Sequence, residues 1–135
     1  MNIRRVHHIN FLVRDLEVAI ARYEQALGLR LDRTDELPGR GVRTARFRAG
    51  ETWIVLVQPV AEGEPMRVLE RDGEGFFLIS YEVDDLEVAV DRAHGSGVPT
   101  TSGQPRIGVD GWRVIDLEPE RMGGALVQLC EVPRP

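Results

Sequence analysis

Lysine is absent from this 135-residue chain, and cysteine occurs once, at position 130. Without lysine, the chain cannot form a Schiff base through its own side chains or use an amine as nucleophile or base. All seventeen basic residues are arginine, whose planar guanidinium suits bidentate binding of carboxylate or phosphate. A single cysteine cannot form an internal disulfide, and it fits a reducing compartment.

Long apolar runs and blocks of like charge are also missing. No apolar segment approaches the roughly 18 residues that a membrane-spanning helix needs. The net charge is −5 with acidic and basic residues interspersed, which argues against a nucleic-acid-binding surface. The first residues lead directly into a strand-like pattern rather than a signal peptide. The sequence therefore predicts a cytoplasmic protein with no nucleic-acid or membrane partner.

What the chain does contain is an internal repeat with a spacing of seventy residues. The segment 9–22 is repeated at 79–92 without a gap, and such a match indicates two copies of one structural unit. The matching pairs are Ile9 and Ile79, Phe11 and Tyr81, Val13 and Val83, Asp15 and Asp85, Leu16 and Leu86, Glu17 and Glu87, Val18 and Val88, Ala19 and Ala89, Ile20 and Val90, and Arg22 and Arg92. The most informative difference is that His8 corresponds to Leu78.

Hydrophobic periodicity predicts the order β-α-β-β-β in each copy. In the first copy, strands are expected at 6–13, 30–34, 42–48 and 52–58, with a helix capped by Asp15 and ended by Gly28. In the second copy, strands are expected at 76–83, 98–101, 112–117 and 125–131, with a helix at about 86–94. The chain is predicted to be a single domain, with module one at about 5–59, a linker at about 60–75 that has one helical turn near 66–69, and module two at about 76–131. Paired modules of this kind curl their sheets around a cavity, so we predict an α+β fold of two tandem βαβββ modules that form a curled mixed sheet around a central cavity.

Several segments resemble the vicinal oxygen chelate superfamily, which includes glyoxalase, extradiol dioxygenases, bleomycin-resistance proteins and methylmalonyl-CoA epimerase. They are the run His7-His8-Ile9-Asn10-Phe11-Leu12-Val13-Arg14-Asp15-Leu16-Glu17, the pair Leu27-Gly28, and Gly73-Glu74-Gly75 leading into Tyr81-Glu82-Val83-Asp84-Asp85. The resemblance covers about residues 6–131. Within the superfamily, the linker, Pro105-Arg106-Ile107-Gly108, Gly111 and Gly123-Gly124 look most like the epimerase branch.

The resemblance also implies a metal site on four strand positions, which in this chain are His8, Val55, Leu78 and Gln128. Leucine and valine offer no lone pairs, and one imidazole with one amide falls short of the three or four ligands of a catalytic metal site. We therefore predict no metal and no cofactor. Glu82 and Cys130 lie two positions beyond Ser80 and Gln128 on their strands, and either could rescue the site only by converging from a shifted position.

Strand parity defines the side chains expected to face the cavity. We predict catalytic roles for His8, as the proton-transfer residue, and for Gln128 and Asn10, as polar donors to a substrate oxygen. The predicted substrate-binding residues are Trp53, Val55, Leu78, Ser80, Glu82, Leu126, Cys130 and Arg46. An alternative interpretation is that His8 and Gln128 form a hydrogen-bonded polar pair of the core without function.

The remaining polar side chains are mostly expected to have structural roles, and one group of arginines is considered for ligand binding. His7 is expected to pack on the helix side or reach the surface, and His94 to lie at a helix C-terminus. Asp116 could be a buried acid, but exposure at a strand edge is the commoner outcome. The group Arg43, Arg46 and Arg48 could bind an anionic ligand at the cavity mouth, although such charges more often form a solvated strand face.

Two classes of function fit these observations. The first is a metal-independent isomerase, epimerase or lyase acting on a small carbonyl compound or thioester, and not a true methylmalonyl-CoA epimerase, because the amide of Gln128 cannot exchange a proton. The second is a non-catalytic binding protein resembling bleomycin-resistance proteins, since an acidic chain with a cavity tryptophan suits a cationic aromatic ligand. We favour the enzyme because His8 is present. A homodimer is expected, and a monomer is compatible with the sequence.

Overall fold

The computed structural model describes residues 3 to 134, which contain eight strands and three α-helices. The elements are β1 (Ile3–Leu12), α1 (Leu16–Leu27), β2 (Leu31–Leu37), β3 (Val42–Ala49), β4 (Thr52–Pro59), α2 (Glu64–Asp72), β5 (Gly75–Val83), α3 (Leu86–Gly95), β6 (Arg106–Ile107), β7 (Arg113–Asp116) and β8 (Val127–Glu131). Short 3-10 turns lie at Pro38–Arg40, Val109–Gly111 and Pro119–Met122. The order is βαβββ twice, with α2 between the copies.

The chain divides into two compact units. The first unit is residues 8–77, and the second unit is residues 3–7 together with 78–134, so β1 and β5 each contribute to both. In the first unit the strand order is β2-β3-β4-β1, with β1 parallel to β4 and the other pairs antiparallel. In the second unit the order is β5-β8-β7-β6, again with one parallel pair, β5 and β8. The predicted α+β fold of tandem βαβββ modules with mixed pairing is confirmed.

Helix α1 begins and ends as its sequence predicts. The Asp15 carboxylate accepts a hydrogen bond from the Val18 backbone N–H, and Asp85 does the same for Val88 at the start of α3. Gly28 closes α1 with a φ of 68°, a left-handed conformation that glycine adopts without steric cost. The repeat therefore reproduces a helix start as well as a strand order.

Each unit packs its helix on one face of its sheet. In the first unit Leu16 packs with Ala45, Phe47 and Leu56, which are all fully buried. In the second unit Leu86 takes the equivalent place with Val83, Ile115 and Leu129. Burial of such side chains contributes about 1.5–3 kcal/mol each. The helix of the second unit packs on the odd-numbered positions of β5, so the side chains at its even-numbered positions lie on the opposite face of the sheet.

Two local expectations were wrong. The linker contains a nine-residue helix, α2, rather than one turn, and Pro65 lies in its first turn, where a missing N–H costs nothing. The strand expected at 98–101 is reduced to an isolated bridge between Thr100 and Leu117. Pro99 lacks the N–H that a continuous ladder needs, and the two-residue strand β6 pairs with β7 instead. Among residues 3 to 134, no helix is long and apolar enough to cross a membrane.

Candidate functional site

The first unit places His8 and Asn10 on the sheet face opposite its helix-packed core. The pairing of β1 with β4 sets His8 beside Trp53 and Asn10 beside Val55, and paired residues on adjacent strands share a face. His8 is 5% exposed, and Val55 is buried as well. The Oδ1 atom of Asn10 is buried and has no hydrogen-bond partner within the described part of the chain. This face therefore offers an imidazole and an unsatisfied acceptor side by side.

Two arginines flank the ring of Trp53 on the same face. The guanidinium carbons of Arg46 and Arg48 lie 4.3 Å and 4.4 Å from the ring centroid, within the range of a cation–π interaction. Arg46 is buried and also donates a hydrogen bond from Nε to Asp32 at 2.9 Å. Trp53 and Arg46, which were both predicted to bind substrate, thus lie on one face, together with a compensating carboxylate that the sequence did not reveal.

The expected three-arginine group does not form as one cluster. Arg43 lies on the helix side, where both its terminal nitrogens donate to the carboxylate of Glu17 in α1. This separation follows from strand parity, because position 43 lies on the opposite face from positions 46 and 48. An anion at this face would meet Arg46 and Arg48 but not Arg43.

The second unit has a polar face built around Gln128. Strand pairing places Ser80 and Asp116 on either side of it, and all three residues are buried. The Nε2 of Gln128 donates to Asp116 Oδ1 at 3.2 Å, and Arg106 donates to Asp116 Oδ2, also at 3.2 Å. The Oε1 of Gln128 and the Oγ of Ser80 are buried without a partner in the described residues. The free atom of Gln128 is therefore its hydrogen-bond acceptor, whereas the sequence interpretation used it as a donor.

Glu82 and Cys130 form a second pair on this face. The carboxylate of Glu82 is held by Arg5 at 3.1 Å and Arg4 at 3.4 Å. Burial, together with the nearby Glu82 charge, raises the pKa of the Cys130 thiol to about 12. Glu82 is thus committed to an ion-pair network, and Cys130 is an inert protonated thiol at neutral pH.

The two remaining predicted residues of this unit are apolar. Leu78 is buried, and Leu126 lies just before β8, where its backbone carbonyl accepts a hydrogen bond from Ile79. Neither side chain carries a polar atom, so both can only shape an apolar surface.

The sequence analysis underestimated the burial of Asp116. It also did not predict the contact of Asp116 with Arg106 or that of His7 with Trp112. The expected exposure of Asp116 at a strand edge was wrong, because it is buried between Gln128 and Arg106. His7 is buried against Trp112, with ring centroids 4.4 Å apart in a T-shaped arrangement. The available signal was the repeat itself, since Asp116 corresponds at the same seventy-residue spacing to Arg46, which was predicted to bind substrate.

The metal site implied by the superfamily resemblance does not fit the residues present. Val55 and Leu78 are buried hydrocarbons, and the NH₂ group of Gln128 is bound to Asp116. The rescue ligands are also committed, since Glu82 binds two arginines and Cys130 holds its proton. One imidazole and one amide oxygen do not make the donor set that retains a divalent ion.

A different group of potential ligands lies at the start of α3. Within residues 3 to 134, one set of acidic side chains, Asp85, Glu87 and Glu131, is close enough to share an ion. Asp85 caps the helix, and the two glutamates bind Arg113. Because internal donors already satisfy these carboxylates, the group is explained as a helix-start structure.

Comparison with known proteins places this geometry in context. Residues 7–115 match the family model described as the Glyoxalase/Bleomycin resistance protein/Dioxygenase superfamily. The chain is 36% identical over 133 residues to a protein of Cereibacter sphaeroides named ethylmalonyl-CoA/methylmalonyl-CoA epimerase, covering 96% of this chain and 99% of the relative.

Solved structures agree with the sequence match. A hypothetical protein from Bacillus halodurans superposes with a TM-score of 0.93 at 27% identity, over 97% of this chain and 96% of the other. Methylmalonyl-CoA epimerase from Mycobacterium tuberculosis superposes with a TM-score of 0.92 at 27% identity, over 98% and 90% of the two chains. The chain belongs to the glyoxalase, bleomycin-resistance and dioxygenase superfamily, also called the vicinal oxygen chelate superfamily.

Proposed function

We propose that this protein is an epimerase- or isomerase-type enzyme that acts on a small carbonyl compound or acyl-CoA thioester without a divalent metal, with His8 as the proton-transfer residue. The similarity to a named ethylmalonyl-CoA/methylmalonyl-CoA epimerase along nearly the whole chain supports the reaction class. The observation that carries the mechanism is the position of His8, buried on the polar face beside Asn10 and Trp53.

The proposed chemistry is proton transfer at the carbon next to a carbonyl group. An imidazole is suited to take and return that proton because its ordinary pKa lies near neutral pH. The carbonyl oxygen gains electron density as the proton leaves, and hydrogen bonding to that oxygen lowers the barrier. We assign the hydrogen bond to that oxygen to the side-chain NH₂ group of Asn10.

The ligand atoms that the residues of the site offer, and not any missing ion, support the proposed metal independence. Val55 and Leu78 cannot coordinate a cation, and Gln128 cannot act as a proton-exchanging carboxylate. The protein therefore differs in mechanism from metal-dependent members of its superfamily. A true methylmalonyl-CoA epimerase activity would have to proceed by this altered route.

The first experiment measures solvent deuterium incorporation into methylmalonyl-CoA and ethylmalonyl-CoA. We expect His8→Gln to abolish incorporation while circular dichroism shows an unchanged fold. His94→Gln is the matched control, because His94 is an exposed imidazole at the end of α3. An unchanged rate in the His8 variant would exclude the proposed role.

The second experiment tests metal independence directly. Elemental analysis of the purified protein should find no stoichiometric zinc, cobalt or manganese, and chelators should leave the rate unchanged. One equivalent of tightly bound divalent metal, or loss of activity with a chelator, would overturn this part of the proposal.

A binding protein without catalysis is the competing function. The sequence favoured a cationic aromatic ligand for it, but Arg46 and Arg48 lie against the ring of Trp53 and would repel a cation there. The geometry at Trp53 therefore supports an anionic or neutral ligand and weakens this alternative. Thermal stabilisation by a ligand with no product or exchange would restore it.

The proposal includes a homodimeric assembly in the cytoplasm. Closed two-fold pairs are the commonest assembly of folded chains, and the lone protonated thiol fits a reducing compartment. Light scattering coupled to size exclusion should give twice the mass of the 15.2 kDa chain. A monomer mass would refute the dimer.

A further inference from the structure

Four side chains of the second unit form a connected group, which we call the Gln128 cluster: Ser80, Arg106, Asp116 and Gln128. Ser80 is fully buried, Gln128 is 3% exposed and Asp116 is 9% exposed. Strand pairing between β5, β8 and β7 fixes their order across the sheet. Buried polar groups are normally satisfied by hydrogen bonds, so the cluster's unsatisfied atoms call for an explanation.

Asp116 determines which end of the Gln128 amide is free. Both carboxylate oxygens of Asp116 meet donor groups, the Nε2 of Gln128 and a terminal nitrogen of Arg106, each at 3.2 Å. A carboxylate in this arrangement only accepts hydrogen bonds, so the NH₂ end of the amide must face it. A flipped amide would place two acceptor oxygens against each other inside the protein with no hydrogen between them, which is unfavourable.

This constraint leaves Gln128 Oε1 as a buried acceptor next to the hydroxyl of Ser80. Neither atom makes a hydrogen bond of regular geometry in residues 3 to 134, and the Ser80 hydroxyl lies close enough to the Cys130 thiol to oppose the rise in its pKa. Leaving such atoms unsatisfied costs free energy that a matching ligand group would recover on binding. The group that satisfies an amide oxygen must carry a hydrogen on oxygen or nitrogen.

We infer that Asp116, held by Arg106, is a positioning residue that locks the Gln128 amide with its oxygen available, and that Gln128 Oε1 and Ser80 Oγ form a subsite for a ligand group bearing an O–H or N–H donor. Only the identification of this ligand as a substrate rests on the proposed function. Chemical groups of this class include a hydroxyl, an enol and an amide N–H. A bare carbonyl or ester oxygen would not satisfy the amide oxygen.

The first unit supplies an internal comparison. Asn10 corresponds to Ser80 by the seventy-residue repeat, and it too has a buried, unpartnered oxygen. At the position equivalent to Asp116 the first unit has Arg46, and the strand neighbour of Arg46 is Val55. Of the two equivalent positions, only Gln128 in the second unit carries an amide held by a carboxylate, whereas the first unit has Val55. This difference points to a ligand contact that is specific to the second unit.

The first test observes the side-chain amide of Gln128 by nuclear magnetic resonance in the ligand-free protein. We expect one of its two NH₂ protons to be shifted downfield and slowed in exchange by the Asp116 carboxylate. Gln25 and Gln104 are exposed and serve as internal references. In Asp116→Asn this signature should disappear, since an asparagine amide can donate to Gln128 Oε1 and allow the flip. Wild-type Gln128 signals that match the exposed references would overturn the inference, and this measurement needs only the wild-type protein.

The second test uses two small amides as probes. Propionamide carries two N–H donors, whereas N,N-dimethylpropionamide has a similar carbonyl group and none. We expect propionamide alone to shift the Gln128 signals, and its dissociation constant to rise about tenfold in Asp116→Asn, as for the loss of one hydrogen bond in a buried site. Arg121→Gln, which changes an exposed arginine, is the control and should leave binding unchanged.

Equal responses to the two probes, or no response to either, would overturn the subsite. These outcomes are independent of the His8 exchange experiment, which uses acyl-CoA substrates. A protein that binds propionamide but does not exchange substrate protons would retain the subsite and lose the proposed enzyme function. The reverse result would retain the enzyme and remove the subsite.

Discussion

The two helices α1 and α3 start with the same hydrogen bond made by chemically different acceptors. Gln58 Oε1 accepts from the Leu16 backbone N–H at 3.0 Å, and Glu131 Oε2 accepts from the Leu86 N–H at 2.9 Å. Both acceptors lie at the end of the last strand of their module. The substitutions Glu131→Gln and Gln58→Glu each exchange one of these acceptors for the other type. Each changes the charge at one helix start by one unit and keeps a side-chain oxygen in place to accept the hydrogen bond.

The size of the effect follows from the contacts of each acceptor. Glu131→Gln removes a negative charge from a helix N-terminus, worth about 0.3–1 kcal/mol. It also removes the ion pair with Arg113 at 2.7 Å, which contributes up to about 1 kcal/mol because both side chains are partly exposed. The loss should therefore be about 0.3–2 kcal/mol. Gln58→Glu places a negative charge at the N-terminus of α1 and should stabilise the folded protein by about 0.3–1 kcal/mol. It gains no ion pair in addition, since Arg43 is already bound to Glu17.

Urea unfolding at neutral pH, followed by circular dichroism, measures both changes. We expect opposite signs in the two single variants, and high salt should reduce both effects. The double variant should equal the sum of the single variants, because the two sites lie in separate helix starts. A destabilising Gln58→Glu together with a neutral Glu131→Gln would refute the idea that charge distinguishes these helix starts.

Two further predictions concern titratable groups. The pKa of the Cys130 thiol, raised to about 12 by burial and by Glu82, predicts that the folded protein reacts with a disulfide reagent at pH 8 far more slowly than the urea-unfolded protein; equal rates would contradict this. Hydrogen bonding to Arg113 lowers the pKa of Glu87, so its contribution to stability is complete above the unfolded carboxyl pKa of about 4.3 and is lost as the pH falls through the folded value. The urea midpoint should accordingly decline on acidification less steeply in Glu87→Gln than in the wild type, and identical profiles would contradict the assignment.

The sequence predicted the parts of the fold that depend on local pattern. Asp15 was expected as a helix cap, and the repeat extends the same role to Asp85 because cap geometry needs only residues three apart. Strand parity separated His8 and Asn10 from the helix-packed core for the same local reason. Repetition strengthened both predictions, since each signal occurs twice.

The parts that could not be predicted depend on pairs distant in sequence. Arg106 and Asp116 are joined through β6 and β7, and nothing near Asp116 in sequence announces a guanidinium. The length of α2 depended on whether Gly63 and Pro65 begin a helix or a turn, and both patterns share those residues. Each failure concerns a choice that tertiary contacts make between two locally allowed structures.

The repeat also explains why the two polar faces have different chemistry. Position 46 of the first module and position 116 of the second both bury a charge, but the signs are opposite, Arg46 bound to Asp32 and Asp116 bound to Arg106. A buried arginine can place its remaining surface against an aromatic ring, and Arg46 does so with Trp53, which leaves its strand neighbour Val55 free to be apolar. A buried carboxylate has no such option and needs a second donor, so its strand neighbour must be polar. Gln128 meets that requirement, and its identity follows from the charge at position 116 as much as from any ligand it contacts.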